Sequence, residues 1–190
     1  MVLLVIEGIE RSGKSTLCQR LSKSLGWPLF DWSDEFDKVR KMLDYRSRIN
    51  FAFAITYTVM RKVDWSKQNM IFQRFWTSNE VYSKVLGDTD EVKTTIKNYN
   101  PVIDFPNTIL IWLDTPVNIV EVRMEQLGES FSGARHLQLM QLKDEFHANL
   151  YRYVENGGQY YTINGIMNPE QLEEETRWIL NSHALLPMIK

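Results

Sequence analysis

Residues 2–7 are a strand-length run, apolar and rich in β-branched side chains as far as Ile6, that closes on Glu7 and Gly8, the pattern of a strand buried on both faces. Leu17, Leu21 and Leu25 then recur at helical spacing until Gly26 supplies a stop. Residues 28–30 read as a short second strand, and 36–43 and 49–63 as helices, the second rich in aromatics. A third strand is expected at 70–72, followed by helices at about 78–86 and 90–99. A fourth strand covers 108–113, and Pro116 suits the first turn of a helix running to Leu127. Residues 128–133 are a glycine-bounded polar excursion, the form of a mobile lid or of a plain surface loop. A long helix at 137–154, a fifth strand at 160–163 and a last helix at 169–180 complete the pattern. Strands alternating with helices imply a parallel sheet covered on both faces, an α/β fold of three layers, α/β/α, with five strands. Ligands of such sheets sit at the carboxyl ends of the strands. The chemistry is therefore expected just after Glu7, Phe30, Phe72, Leu113 and Ile163.

Composition narrows this without redirecting it. The 190 residues suffice for one domain over 1–190, with a short lid at about 124–136. A net charge of −2 argues against a broad nucleic-acid footprint, which needs a strongly basic face. Cys18 is the single cysteine, so no internal disulfide can form and a reducing, cytoplasmic setting is expected. No run approaches the roughly 18 apolar residues of a membrane span, and 2–6 is too short for a signal segment. His136, His147 and His183 show no metal-ligand spacing.

The strongest chemical signal is Gly8-Ile9-Glu10-Arg11-Ser12-Gly13-Lys14-Ser15, which fits G-x-x-x-x-G-K-[ST] between a predicted strand and a predicted helix. Glycines let successive N–H groups curl toward one anion, and the helix N-terminus adds partial positive charge. Gly8, Ser12, Gly13, Lys14, Ser15 and Thr16 are thus candidate ATP ligands. Lys14 is placed to reach the β- and γ-phosphates, and the Ser15 hydroxyl to take a Mg²⁺ position. No N-K-x-D element is present, which sets aside a GTPase. A P-loop ATPase or nucleotide-binding protein without transfer activity stays open, with Asp114 as its candidate acid.

Glu7-Gly8-Ile9-Glu10-Arg11-Ser12-Gly13-Lys14-Ser15-Thr16 resembles the opening E-G-x-[DE]-R-x-G-K-S-T of the thymidylate kinase family, and more distantly the deoxynucleoside kinases. The resemblance implies that Glu10 meets the acceptor's 3′-hydroxyl and that Arg11 is a catalytic cation beside Lys14. Gln73-Arg74-Phe75-Trp76-Thr77-Ser78-Asn79-Glu80-Val81-Tyr82 is similar to the family's D-R-[YFH]-x-x-S-x-x-A-[YF]. It implies that Arg74 grips the acceptor phosphate, with Ser78 beside it and Tyr82 against the sugar's 2′ edge; core packing is the other reading of Tyr82. A third island, 109–123, implies a helix-ending arginine at the lid. Arg123 there either covers the donor adenine or complements the helix dipole. Ile163-Asn164-Gly165 with Asn168-Pro169-Glu170 looks like the loop lining the donor base, or any helix cap. The implied activity is transfer of the ATP γ-phosphoryl to a deoxynucleoside monophosphate such as dTMP, with Mg²⁺, in a homodimer.

The departures bear on the acceptor. Gln73 stands where the family has an aspartate, and the stretch after the second strand lacks the usual arginine and glycine-rich loop. Phe53 and Tyr57 share a helix face and would either stack the acceptor base or pack in the core. A deoxynucleoside kinase attacking through a 5′-hydroxyl is the rival reading. Such an enzyme needs a general base, which Gln73 cannot be, whereas a monophosphate acceptor is already ionised.

Overall fold

The computed structural model describes residues 2–31, 68–86 and 107–183. The expected helices at 36–43, 49–63 and 90–99, with Phe53 and Tyr57, lie outside these residues. The described elements run β1 (Leu3–Glu7), α1 (Lys14–Leu25), β2 (Leu29–Asp31), β3 (Met70–Gln73), α2 (Trp76–Leu86), β4 (Thr108–Asp114), α3 (Val117–Gln126), α4 (Gly133–Glu155), β5 (Tyr160–Asn164) and α5 (Pro169–Ser182). All five strands are parallel, in the order β2-β3-β1-β4-β5. No helix among the described residues is long and apolar enough to cross a membrane.

Period-two alternation of the strand side chains separates the two layers of helix. Leu3 and Val5 of β1, Phe72 of β3 and Leu110 and Trp112 of β4 pack with Leu142, Phe146 and Leu150 of α4. Leu4 and Ile6, Ile71, and Ile109 and Ile111 turn the other way, onto Leu17, Cys18 and Leu21 of α1 and Leu172 and Ile179 of α5. Both faces are covered, which explains why the strands read as continuous apolar runs rather than alternating ones.

The same alternation sorts the polar residues at the strand ends. Glu7 shares the parity of Leu3 and Val5 and faces the α2/α4 layer. Gln73 shares that of Ile71, and Asp31, its register partner on β2, that of Leu29, so both face α1. Asp114 follows Leu110 and Trp112 toward α4.

Two helix starts differ from expectation. α2 opens at Trp76 rather than near Ser78. α4 opens at Gly133 rather than Leu137, because Ser132 caps it, its side chain accepting from the Arg135 N–H at 3.2 Å. With α3 ending at Gln126, only 127–132 of the expected 124–136 lid is non-helical. Asn168 and Gln171 form a reciprocal capping box on α5, with Pro169 in its first turn. Those letters therefore serve the helix start.

Candidate active site

The phosphate loop leaves β1 at Gly8, whose φ of 155° few side chains tolerate. A Cβ there would lie 2.6 Å from Ser12 Oγ and 3.1 Å from the Leu113 carbonyl oxygen, so only glycine admits this packing. Gly13, in the left-handed region, precedes α1, which has no side-chain cap and no acidic residue in its first turn. The N-terminal amides of a 12-residue helix thus add their partial charge to the loop with no carboxylate in their own turn to offset it. Ser15 and Thr16 stand exposed on that first turn, while Ser12 is fully buried.

Lys14 is buried, and its Nζ donates to the Ile9 carbonyl at 2.5 Å and to Ser12 Oγ at 3.1 Å. The ammonium is thereby folded into the curl of the loop. Burial, then the Arg74 charge, pushes it well below the ordinary lysine value, against Glu7 and Glu10. Added phosphate charge would reverse this balance.

At the end of β3, Arg74 takes a left-handed backbone, φ 67°, while its N–H donates to the Ile6 carbonyl at 3.0 Å. An L-residue bears such a conformation at a cost of about 1–2 kcal/mol. The turn sends the guanidinium back along α2, where Nη1 donates to Ser78 Oγ at 3.3 Å and Cζ lies 5.0 Å from the Tyr82 ring centroid. Burial opposes the Arg74 charge, but Tyr82, Glu7 and Glu10 outweigh burial and hold its pKa up. Ser78 and Tyr82 thus hold Arg74 from one helix face, as their spacing of four requires. Tyr82 also packs edge-on against Phe146, 6.1 Å between centroids.

Beneath them lies Glu7, which sequence reasoning passed over. It is fully buried. Its Oε1 accepts from the N–H groups of Phe75 and Ser78 at 2.8 and 3.1 Å, and its Oε2 from the Ser78 hydroxyl at 2.5 Å. Burial nonetheless pushes its carboxyl above the ordinary range, against Ser78 and the Arg74 charge.

On the loop's outer side, two ion pairs join it to the α3–α4 connection and to the first turn of α4. Arg11 pairs with Glu129 and Glu10 with Arg135, whose Nη1 also donates to Gln138. Arg123 donates to the carbonyls of Arg11 and Gly165, both at 2.9 Å. It therefore straps the phosphate loop to the turn after β5. Glu129 was missed because a glutamate in a polar loop carries no local signal.

Asp114, the candidate acid of the ATPase reading, meets Lys143 of α4 at 2.6 Å. Among the described residues, no group of three or more His, Cys, Asp and Glu side chains is arranged to hold a metal.

The deoxynucleoside kinase family model matches residues 4–176. A probable thymidylate kinase of Metallosphaera sedula is 30% identical over 165 residues, which cover 80% of this chain and 81% of that protein. Deoxyadenosine kinase from M. mycoides, solved with dCMP and dCDP, aligns with TM-score 0.68 at 20% identity over 95% of this chain and 99% of that one. The YorR protein of Bacillus subtilis, solved with phosphorylated GDP, aligns with TM-score 0.62 at 16% identity over 95% and 98%. The two structures speak for the three-layer P-loop fold, and the sequence matches for the family. Both resemblances expected from the motifs hold, and the chain belongs to the deoxynucleoside kinase family, with a thymidylate kinase among its relatives, as an ATP-dependent kinase of nucleosides or nucleotides.

Proposed function

We propose that this kinase transfers the ATP γ-phosphoryl to the phosphate of a deoxynucleoside monophosphate. The observation that carries the reading is the pair Gln73–Arg74 at the carboxyl end of β3. A fixed cation is offered there with no carboxylate beside it on the same strand, which suits an acceptor that is already an anion and needs no base. Lys14 and Arg11 would stabilise charge on the moving phosphoryl group, and the α1 amides with Ser12 and Gly13 would cradle the donor phosphates. Arg74 would bind the acceptor phosphate, with Tyr82 against the sugar. Arg11 and Glu10 are engaged with Glu129 and Arg135, so taking up these roles requires exchanging those partners for substrate.

Mg²⁺ when bound would supply further charge compensation on the donor phosphates. The donors fit an oxygen-seeking ion: the Ser15 hydroxyl is exposed at the start of α1, and Asp31 faces α1 beside Gln73.

Asp31 also supports a second reading. A carboxylate at the end of β2, the strand beside β3, could deprotonate a 5′-hydroxyl, making the acceptor a deoxynucleoside. A coupled assay with ATP against the four dNMPs, dUMP and the deoxynucleosides separates the two. Turnover confined to nucleosides would overturn the monophosphate reading, and no turnover with any acceptor would leave a nucleotide-binding protein.

A further inference from the structure

Glu7 lies one residue before the phosphate loop, with its carboxylate wholly inside the molecule. Keeping a charge there is costly unless hydrogen bonds and countercharges answer it. Three hydrogen bonds do so, all from the first turn of α2 and its entry: the N–H groups of Phe75 and Ser78 and the Ser78 hydroxyl. Because that hydroxyl gives its proton to Glu7, its oxygen is left to accept from Arg74 Nη1. The chain of donors runs one way, from guanidinium to hydroxyl to carboxylate, and only an ionised acceptor at its end fixes that direction.

Glu7 sits on β1 and Arg74 after β3, so this chain crosses between adjacent strands at the point where Arg74 has left extended geometry. The Glu7 charge is also felt at Lys14. One buried carboxylate therefore lies among the two cations assigned to acceptor and donor.

We propose that Glu7 is a positioning residue for the acceptor site, fixing the Arg74 guanidinium through the Ser78 hydroxyl. The inference rests on the reading of Arg74 as the acceptor's anchor. A carboxylate that only capped α2 would alter stability and the active fraction, and would leave both KM values where they are.

Glu7→Gln tests this. Its amide oxygen can keep the two backbone N–H bonds, but its amide nitrogen donates to Ser78 and turns the hydroxyl proton toward Arg74. The KM for the acceptor is expected to rise about tenfold, the scale of one charge-assisted hydrogen bond. The KM for ATP should move by less than about twofold. Ser78→Ala, which breaks the chain while leaving Glu7 its charge and its two backbone N–H bonds, should give the same split, and Ser78→Thr, which keeps the hydroxyl, should restore most of it. The Ser78 pair decides the matter if Glu7→Gln does not fold. The acceptor probes are dTMP and deoxyadenosine in parallel, with Arg74→Ala as reference. If Arg74→Ala raises the acceptor KM while Glu7→Gln or Ser78→Ala leaves it unchanged, Glu7 has no positioning role and the site reading stands. If Arg74→Ala itself leaves the acceptor KM unchanged, or neither probe is phosphorylated, the acceptor reading fails and this inference with it.

Discussion

Lys143 stands 2.6 Å from Asp114, on the sheet face opposite α1. The nitrogen approaches Oδ1 off the line of a good hydrogen bond, so the attraction is coulombic. Asp114 thus spends its charge on α4, while Asp31 lies beside Gln73 on the α1 face. Asp114→Asn is expected to leave the Mg²⁺ dependence of turnover unchanged and to cost no more than about 1 kcal/mol of stability. Asp31→Asn should shift half-maximal Mg²⁺ activation upward several-fold. Titrating MgCl₂ at fixed ATP checks both, and a shift confined to Asp114→Asn would reverse the assignment.

Nucleotide binding should be coupled to proton uptake. Burial and Arg74 depress the Lys14 pKa in the free protein, and triphosphate would raise it again. Protons are then taken up on binding in the window between the depressed value and the ordinary lysine range, approaching about one per nucleotide. Calorimetric titration of ADP in buffers of different ionisation enthalpy measures this, and Lys14→Met should remove it. In the free protein the same depression makes Lys14's share of stability grow as pH rises through that window, since the unfolded chain then holds the extra proton. Lys14→Ala should abolish measurable phosphoryl transfer.

Tyr82 supports Arg74 with the face of its ring. Tyr82→Phe gives up the hydroxyl's bond to the guanidinium but keeps that face, which should hold the rise in acceptor KM to about threefold. Tyr82→Ala removes it and should raise the KM about fivefold, as expected for a partly desolvated cation–π contact. The ratio of kcat/KM for a deoxyribonucleotide and its ribo counterpart, measured on Tyr82→Ala, tests whether the ring also guards the sugar edge. An unchanged ratio would limit Tyr82 to holding Arg74 and packing on Phe146.

Gly165 should not tolerate a side chain. A Cβ there would lie 1.9 Å from Thr115 Oγ1 and 3.1 Å from the Thr115 backbone nitrogen. Gly165→Ala must push the turn outward, at a cost of about 1–3 kcal/mol. Because Arg123 bonds the Gly165 carbonyl, the displacement should also raise the KM for ATP. Thermal unfolding with and without ATP measures both effects, and an unchanged midpoint would contradict the close packing.

The strands and phosphate loop were legible because their signals are local: apolar runs of strand length, and glycines at fixed offsets from Lys14. The start of α4 was legible in principle, since Ser132 is an ordinary cap residue. It was read as loop because Gly133 follows directly, and glycine ordinarily argues against a helix interior. The start of α2 was not legible, because its orphan amides are satisfied by Glu7, which is 71 positions away from Ser78. Glu7 itself looks like the polar end of a strand. That Asp31 and Asp114 face opposite layers could not be read from letters alone, since it follows from strand parity, which requires the sheet.

The two ion pairs on the outer side of the loop run in opposite senses. Arg11 is the cation of one and Glu10 the anion of the other. Four charges so paired sum to zero, and each side of the clasp carries one charge of either sign. Glu129 in the 127–132 connection and Arg135 in the first turn of α4 are therefore gripped only at contact range, without a far-reaching pull that salt would screen away. An incoming polyphosphate carries net negative charge into this balance and would draw on both arginines while repelling both glutamates. The arrangement is balanced until a polyanion arrives, so the nucleotide itself would supply the asymmetry that breaks the clasp.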